Sequence, residues 1–246
     1  FLLLFNAGFS LNFYLSIYKI LRLFQWLTIY CLFSQLKLPP KTLLMTFTLS
    51  TLLQLFLSLS QIVSGQALQG IFYWLGERYF QLGTTGIAKI AFNGRELLRA
   101  YGTFSHPNSL AGFYLVLYIF LLNNKQYNQF LVWKNGLSLL CLALIFLSFS
   151  RTAIFAVILI TLIYQLQQKK TCRICSLARI LTLVACGAIF ASGQSDPLTL
   201  RKRLELTTNA LQIIKYNFLF GVGLNNYLLA QAQFNSHYAG FFNQPV

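Results

Sequence analysis

Acidic residues are almost missing: Glu77, Glu96, Asp196 and Glu205 are the only four in the chain, and they are scattered. No pair of them can hold the metal ion of a nucleotide sugar, so soluble metal-dependent sugar-nucleotide transferases are disfavoured. Histidine is as scarce, with only His106 and His237, and neither a nucleophile elbow nor a phosphate-cradling lysine loop is present. The five cysteines make no disulfide framework. Cys31, Cys141 and Cys186 fall in apolar runs and read as small buried residues. Cys172 and Cys175 have redox or half-zinc spacing, but no second Cys or His pair accompanies them. Phe220-Gly-Val-Gly-Leu-Asn-Asn-Tyr227 is half of a dinucleotide-binding glycine pattern without the surrounding strand-helix-strand unit. Its glycines are expected to serve a tight turn or a close backbone approach. The chain thus calls for no cofactor, metal or nucleic acid.

What is abundant is apolar surface. Hydrophobic residues make up 57% of the chain, aromatics 16% and charged residues 9%, which is more than one soluble core of this size can hide. The expected fold is all-α, a polytopic transmembrane helical bundle with two long outer loops. Spans are predicted near Thr42 to Val63, Pro107 to Leu122, Gly136 to Phe149, Thr152 to Leu166 and Ala178 to Ser192, with one or two more in Phe1 to Gln35, where Lys19 and Arg22 sit awkwardly. Residues 1–246 read as one membrane domain: an outer loop at 64–106, a four-span core at 107–192 and an outer loop at 193–246 that carries an amphipathic helix. The single methionine is internal, at Met45, and the chain reads as an internal fragment.

Charge sorts by face. The short loops hold Lys37, Lys41, Lys125, Lys134, Lys169, Lys170 and Arg173, with Arg179 at the start of the next span, and no acid. The positive-inside rule makes them cytoplasmic. All acids and both histidines then lie outside, together with Arg78, Arg95, Arg99, Arg151, Arg201 and Arg203. Arginine carries a permanent, planar charge that grips phosphate in a bidentate way, so its concentration outside points to an anionic ligand; solvation of long loops is the plain alternative.

Three sites stand out. In Leu147-Ser-Phe-Ser-Arg151-Thr, an arginine sits between two apolar runs with hardly any loop to bring it to water. A charge placed there has a task or a partner, or snorkels at a helix end. After Arg201-Lys-Arg203, Leu204, Leu211, Ile214 and Phe218 recur at helical spacing, as in a helix lying on a membrane surface; a packing helix with a charged face is the alternative. At Tyr101-Gly-Thr-Phe-Ser-His106-Pro-Asn108, a loop enters an apolar run with more polar groups than a helix entry needs. His106 is expected to shape that entry.

The order of these motifs carries a resemblance. Trp74-Leu-Gly-Glu-Arg78, Leu98-Arg-Ala-Tyr-Gly-Thr-Phe-Ser-His-Pro-Asn-Ser-Leu-Ala-Gly112, Ser150-Arg-Thr152, Arg203-Leu-Glu-Leu206 and Phe220-Gly-Val-Gly223 together resemble the O-antigen ligase and polymerase family, from about Gly70 onward. The resemblance implies a bacterial multispanning enzyme, GT-C-like in fold, on the outer side of the cytoplasmic membrane. It implies metal-independent transfer of a glycan from undecaprenyl diphosphate to an acceptor glycolipid such as lipid A-core, another glycan, or a protein. By motif position Arg151 and Arg203 bind the diphosphate, with Arg99, Arg201, His106 and Asn108 as further substrate-binding residues. A histidine in the last outer loop assists the acceptor hydroxyl. His237 is the one in that loop, but Ser-His237-Tyr-Ala departs from the family's His-Asn, and the base is expected just beyond Val246. A transporter or flippase for an anionic lipid-linked solute is the competing class; it should show repeated or broken helices and polar groups on both faces.

Overall fold

The computed structural model describes residues 2–36, 39–92, 95–167, 184 and 197–234. The predicted span Ala178 to Ser192, Val184 apart, the Cys172/Cys175 pair and His237 lie outside the described residues. The chain forms two compact units, one of residues 38–194 and the other of residues 1–37 with 195–246.

The first unit is built on α3 (Pro40–Ser64), α5 (Pro107–Asn123), α6 (Leu131–Leu147) and α7 (Arg151–Gln167). Between α3 and α5 come a single turn, α4 (Ile71–Trp74), and a hairpin of β1 (Lys89–Phe92) and β2 (Arg95–Leu98). Helix α5 packs against α6 and α7, and α3 packs against α6. Their meeting line is the core, with Leu44, Leu110, Tyr114, Tyr118, Leu137, Leu144 and Ile154 at most 1% exposed. The apolar residues of these helices recur about every third or fourth position, which aligns them along one face. Across α5 and α7 the Tyr118 hydroxyl meets Thr161 Oγ1 at 3.0 Å, so the core's polar tips are paired as well.

Proline and glycine punctuate these helices. Pro40 and Pro107 occupy the first turns of α3 and α5, where a missing N–H costs nothing. Gly65 closes α3 in the left-handed conformation, φ 66°, and its N–H returns to the Gln61 carbonyl at 2.9 Å. Two helical stretches, Pro40–Ser64 and Lys125–Leu147, are long and apolar enough to cross a membrane; Pro107–Asn123 and Arg151–Tyr164 are shorter apolar helices.

The described residues are mostly helical, as the sequence predicts, with one short hairpin added: β1 and β2 pair antiparallel, with Lys89 opposite Leu98 and Phe92 opposite Arg95. Two sequence expectations change. Lys134 is not a loop lysine. A 3-10 turn over Lys125–Phe130 runs straight into α6, so Lys134 falls in the first helical turn, 6% exposed, where its Nζ donates to Asn128 Oδ1 at 2.8 Å and to the Asn124 carbonyl at 3.2 Å. Cys141 is buried as expected, but Cys31 is exposed, on a helix whose Phe24, Trp26, Leu27, Tyr30, Leu32 and Phe33 are exposed too.

That helix, α2 (Phe13–Gln35), follows α1 (Leu2–Gly8) in the second unit, with α8 (Pro197–Tyr216) and α9 (Tyr227–Phe234). The glycine pattern does what the sequence suggested. Gly221 and Gly223 both take positive φ, 64° and 87°, and a Cβ on Gly223 would strike Ser10. The turn thereby lays Asn226, fully buried, against the start of α2: its Oδ1 accepts from Asn12 N at 3.0 Å, and its Nδ2 donates to Ser16 Oγ at 2.8 Å and to the Leu224 carbonyl at 2.9 Å. Asn226→Ala strands several buried groups at once and is expected to lower stability by about 2 kcal/mol. Chemical unfolding in detergent reads this directly, and a loss below about 0.5 kcal/mol, the range of an ordinary surface substitution, would remove Asn226 as the fastener. On α8 and just beyond it, Leu204, Leu211, Ile214 and Phe218 are 55–80% exposed, while Asn209 and Ile213 face inward. The predicted apolar stripe is therefore not this unit's packing face.

Candidate functional site

Leu98 ends β2 with its side chain buried, 1% exposed, and the chain then runs along the C-terminal end of α6. The last carbonyls of a helix lack partners within it, and here the passing segment supplies donors. Ala100 N donates to the Leu147 carbonyl at 3.2 Å, and Arg99 Nε donates to the Ser148 carbonyl at 2.7 Å. The cation also suits the negative end of the helix dipole. Arg99 Nη2 then reaches Asn108 Oδ1 at 2.8 Å, so one guanidinium ties the end of α6 to the start of α5. Arginine has five N–H donors; those left over meet no acceptor among the described residues.

The chain turns from α6 into α7 at Ser148-Phe149-Ser150. Phe149 sits at φ 50°, a conformation that costs a non-glycine residue about 1 kcal/mol or more. Hydroxyls hold the reversal: Ser148 Oγ donates to the Ile145 carbonyl at 2.6 Å and accepts from Ser150 N at 3.1 Å, and both serines are buried. The Ser150 carbonyl accepts from Ile154 N at 2.9 Å, starting α7. Arg151 is the first residue of that helix and is exposed. The tight turn expected from sequence is present, and it delivers the arginine to the surface.

His106 caps α5 with its own side chain, since Nδ1 accepts from Asn108 N at 3.1 Å. The histidine is thus not in excess of what the helix entry requires; it is the cap. An imidazole that accepts at Nδ1 carries its proton at Nε2. In this position it is a hydrogen-bond donor toward whatever lies beyond and not a base for a substrate hydroxyl.

Electrostatics joins these groups. The Arg99 guanidinium is held below its ordinary pKa first by burial; Tyr101 opposes that shift and the charge of Arg151 adds to it. Arginine does not lose its proton over any accessible pH, so the shift records how poorly the site tolerates its own positive charge. His106 is likewise lowered, by burial and then by Arg99. Arg99, Arg151, His106 and Asn108 therefore form one electropositive cluster at the adjoining ends of α5, α6 and α7. A depressed histidine pKa means the unfolded chain takes up the proton first as pH falls. Stability is whole above about pH 6.5 and is lost on acidification below that value. His106→Asn keeps a capping side chain and should flatten the fall of the unfolding midpoint between about pH 7 and 5; an unchanged slope would assign that loss to other groups.

Of the other residues singled out from sequence, Arg201 and Arg203 lie in the first half of α8, within the second unit. The sequence reading missed Gln61 and Glu77. Gln54, Ser58 and Gln61 recur on one face of an apolar helix, and all are at most 8% exposed; glutamine in such a run was the available signal.

The comparison that bears on this cluster is with family models. Residues 136–245 match the O-antigen ligase family. The matched stretch contains Ser148 to Thr152, Arg201, Arg203, the glycine turn and His237, and it begins downstream of Arg99 and His106. The family implies a membrane enzyme of the glycosyltransferase or ligase type, acting in polysaccharide assembly. No curated protein and no solved structure matches the chain.

Proposed function

We propose that this chain transfers a glycan from an undecaprenyl-diphosphate carrier to an acceptor glycolipid, glycan or protein on the outer side of the bacterial cytoplasmic membrane. The observation that carries the reading is the clustering of Arg99, Arg151 and His106, which lower one another's tolerance of positive charge, one side of the cluster being the Ser-Arg-Thr turn inside the stretch that matches the O-antigen ligase family. Such a cluster is costly in isolation and is relieved by an anion. A lipid-borne diphosphate supplies the charge at the membrane surface.

In the reaction the bond from the sugar's anomeric carbon to the diphosphate oxygen breaks and a bond to the acceptor oxygen forms. The diphosphate leaves on its lipid with the bonding electrons, and fixed positive charge stabilises what builds up on it. Arg151 is the principal clamp in this proposal. Motif order separately assigns diphosphate binding to Arg203, with Arg201; Asn108 orients Arg99, and His106 donates from Nε2. A proton must leave the acceptor hydroxyl, and a histidine of the last outer loop is the proposed acceptor for it; within residues 1–246 the candidate is His237, whose Ser-His-Tyr-Ala setting departs from the family's His-Asn. No metal is required for any of these roles.

Reconstitution in liposomes with undecaprenyl-diphosphate-linked glycan and candidate acceptors, with a chelator present, tests the reading. Glycan bonded to acceptor supports it. Movement of the lipid-linked glycan across the bilayer with no bond made would convert the assignment to a flippase, and chelator-sensitive transfer would overturn the metal-free mechanism.

A further inference from the structure

One part of the loop before α5 has no role in the scheme above: the buried carboxylate of Glu77, in the Trp74-Leu-Gly-Glu-Arg78 motif. It is 2% exposed, and its oxygens accept three hydrogen bonds. Oε1 accepts from Gln61 Nε2 at 2.8 Å and from Leu68 N at 2.9 Å, while Oε2 accepts from Gln69 N at 2.6 Å. Three donors on one carboxylate make burial tolerable. They also fix the rotamer of Gln61, because its amide must present nitrogen to Glu77 and oxygen to the other side.

That other side is the loop carrying the cluster. Gln61 Oε1 accepts from Gly102 N at 2.8 Å and from Tyr101 N at 3.2 Å, and Gln61 Nε2 also donates to the Gly102 carbonyl at 2.9 Å. Two turns earlier on α3, Gln54 repeats the pattern with Thr103, accepting from its N–H at 3.0 Å and donating to its Oγ1 at 2.6 Å. The loop backbone is therefore read by two glutamines of a rigid helix. Arg99 lies two residues before this clamped segment, residues 101–103, and His106 three residues after it. A displacement of a few tenths of an ångström at Gly102 passes directly to both.

We infer that Gln61 and Glu77 are positioning residues: Glu77 sets the orientation of the Gln61 amide, and Gln61 sets residues 101–102 so that Arg99 and His106 converge on the diphosphate. The inference rests on the proposed function for the identity of the anion, and on the hydrogen bonds alone for the positioning. Neither residue touches the ligand.

Glu77→Gln keeps volume and removes one acceptor. Whichever way the new amide turns, an NH2 group faces a donor, Gln69 N on one side or Gln61 Nε2 and Leu68 N on the other. Gln61→Ala is the stronger variant, and Glu77→Gln carries the test if that protein fails to fold. Full-length variants in nanodiscs are compared per folded molecule for equilibrium binding of undecaprenyl diphosphate, for transfer, and for the KM of the acceptor. Binding is expected to weaken about tenfold in Glu77→Gln, the effect of roughly one lost buried hydrogen bond to a charged group, and acceptor KM should not move. Unchanged binding with intact transfer would overturn the positioning role and leave the proposed function standing. Variant-sensitive binding in a wild-type protein that transfers nothing would keep the positioning role and sink the transferase reading. Equal loss in donor and acceptor parameters would reduce the network to a structural one, and no binding of the lipid diphosphate by the wild type would overturn both.

Discussion

Arg151→Ala is expected to lower glycan transfer at least about 100-fold, the scale seen when one preorganised donor to a developing anion is removed, while leaving the α6–α7 reversal ahead of it folded. The two halves of that result come from the same geometry. Arg151 opens α7 exposed at the surface, and the reversal ahead of it is held by the hydroxyls and backbone of Ser148 and Ser150. Its truncation leaves that reversal intact. Its charge, however, is strong enough to disturb Arg99, so an anion held by Arg99 also feels Arg151. Arg151→Lys should recover only part of the activity, since an ammonium is a point charge without the planar fork that meets two phosphate oxygens. Arg99→Ala is a poorer probe: it also uncaps the end of α6 and releases Asn108. Transfer kinetics with unfolding curves for the same preparations separate the cases. Wild-type turnover in Arg151→Ala would remove the arginine from the mechanism.

Much of this arrangement was legible in the sequence because the relevant signals are local. Pro40, Pro107 and the apolar runs behind them fix where α3 and α5 begin. The Ser-Phe-Ser-Arg turn is announced by an arginine between two apolar runs, and the Gly-Val-Gly turn by glycines at positions where positive φ is needed. The illegible parts depend on distant partners. Arg99 reads as one more outer-loop arginine until the C-terminal end of α6, 49 residues away in sequence, is placed beside it. Gln61 and Glu77 look like incidental polar residues because their meaning lies in each other and in Gly102. The hairpin at Lys89–Leu98 was hidden by its shortness, four residues a strand, with a period too brief to register against the surrounding loop. Charge alone places Lys134 in a loop, but a long lysine stem can lie buried while its ammonium reaches the Asn124 carbonyl at the end of α5 and the Asn128 side-chain oxygen in the 3-10 turn.

Gly102 and Gly112 belong to one sequence motif, and replacing each by alanine is expected to act in opposite directions. Gly102 has φ 57°, and a Cβ there would overlap Gln54 Oε1 and press on Leu110 Cδ1 at 3.2 Å. The left-handed conformation alone costs an alanine about 1 kcal/mol. Gln54 must also leave Thr103, so Gly102→Ala should destabilise the protein by about 3 kcal/mol in all. Gly112 lies inside α5 with nothing within 4 Å of a new Cβ, and Gly112→Ala should stabilise by roughly 0.5–1 kcal/mol through backbone entropy. Parallel unfolding curves test the pair, and similar effects of one sign would show that Gln54 yields freely. Activity adds the functional half. If the backbone at 102 sets where Arg99 and His106 stand, the Gly102→Ala molecules that remain folded should bind the lipid diphosphate more weakly than wild type, whereas Gly112→Ala should bind it unchanged. Full affinity in folded Gly102→Ala protein would mean that the cluster tolerates movement of the loop on which it is built.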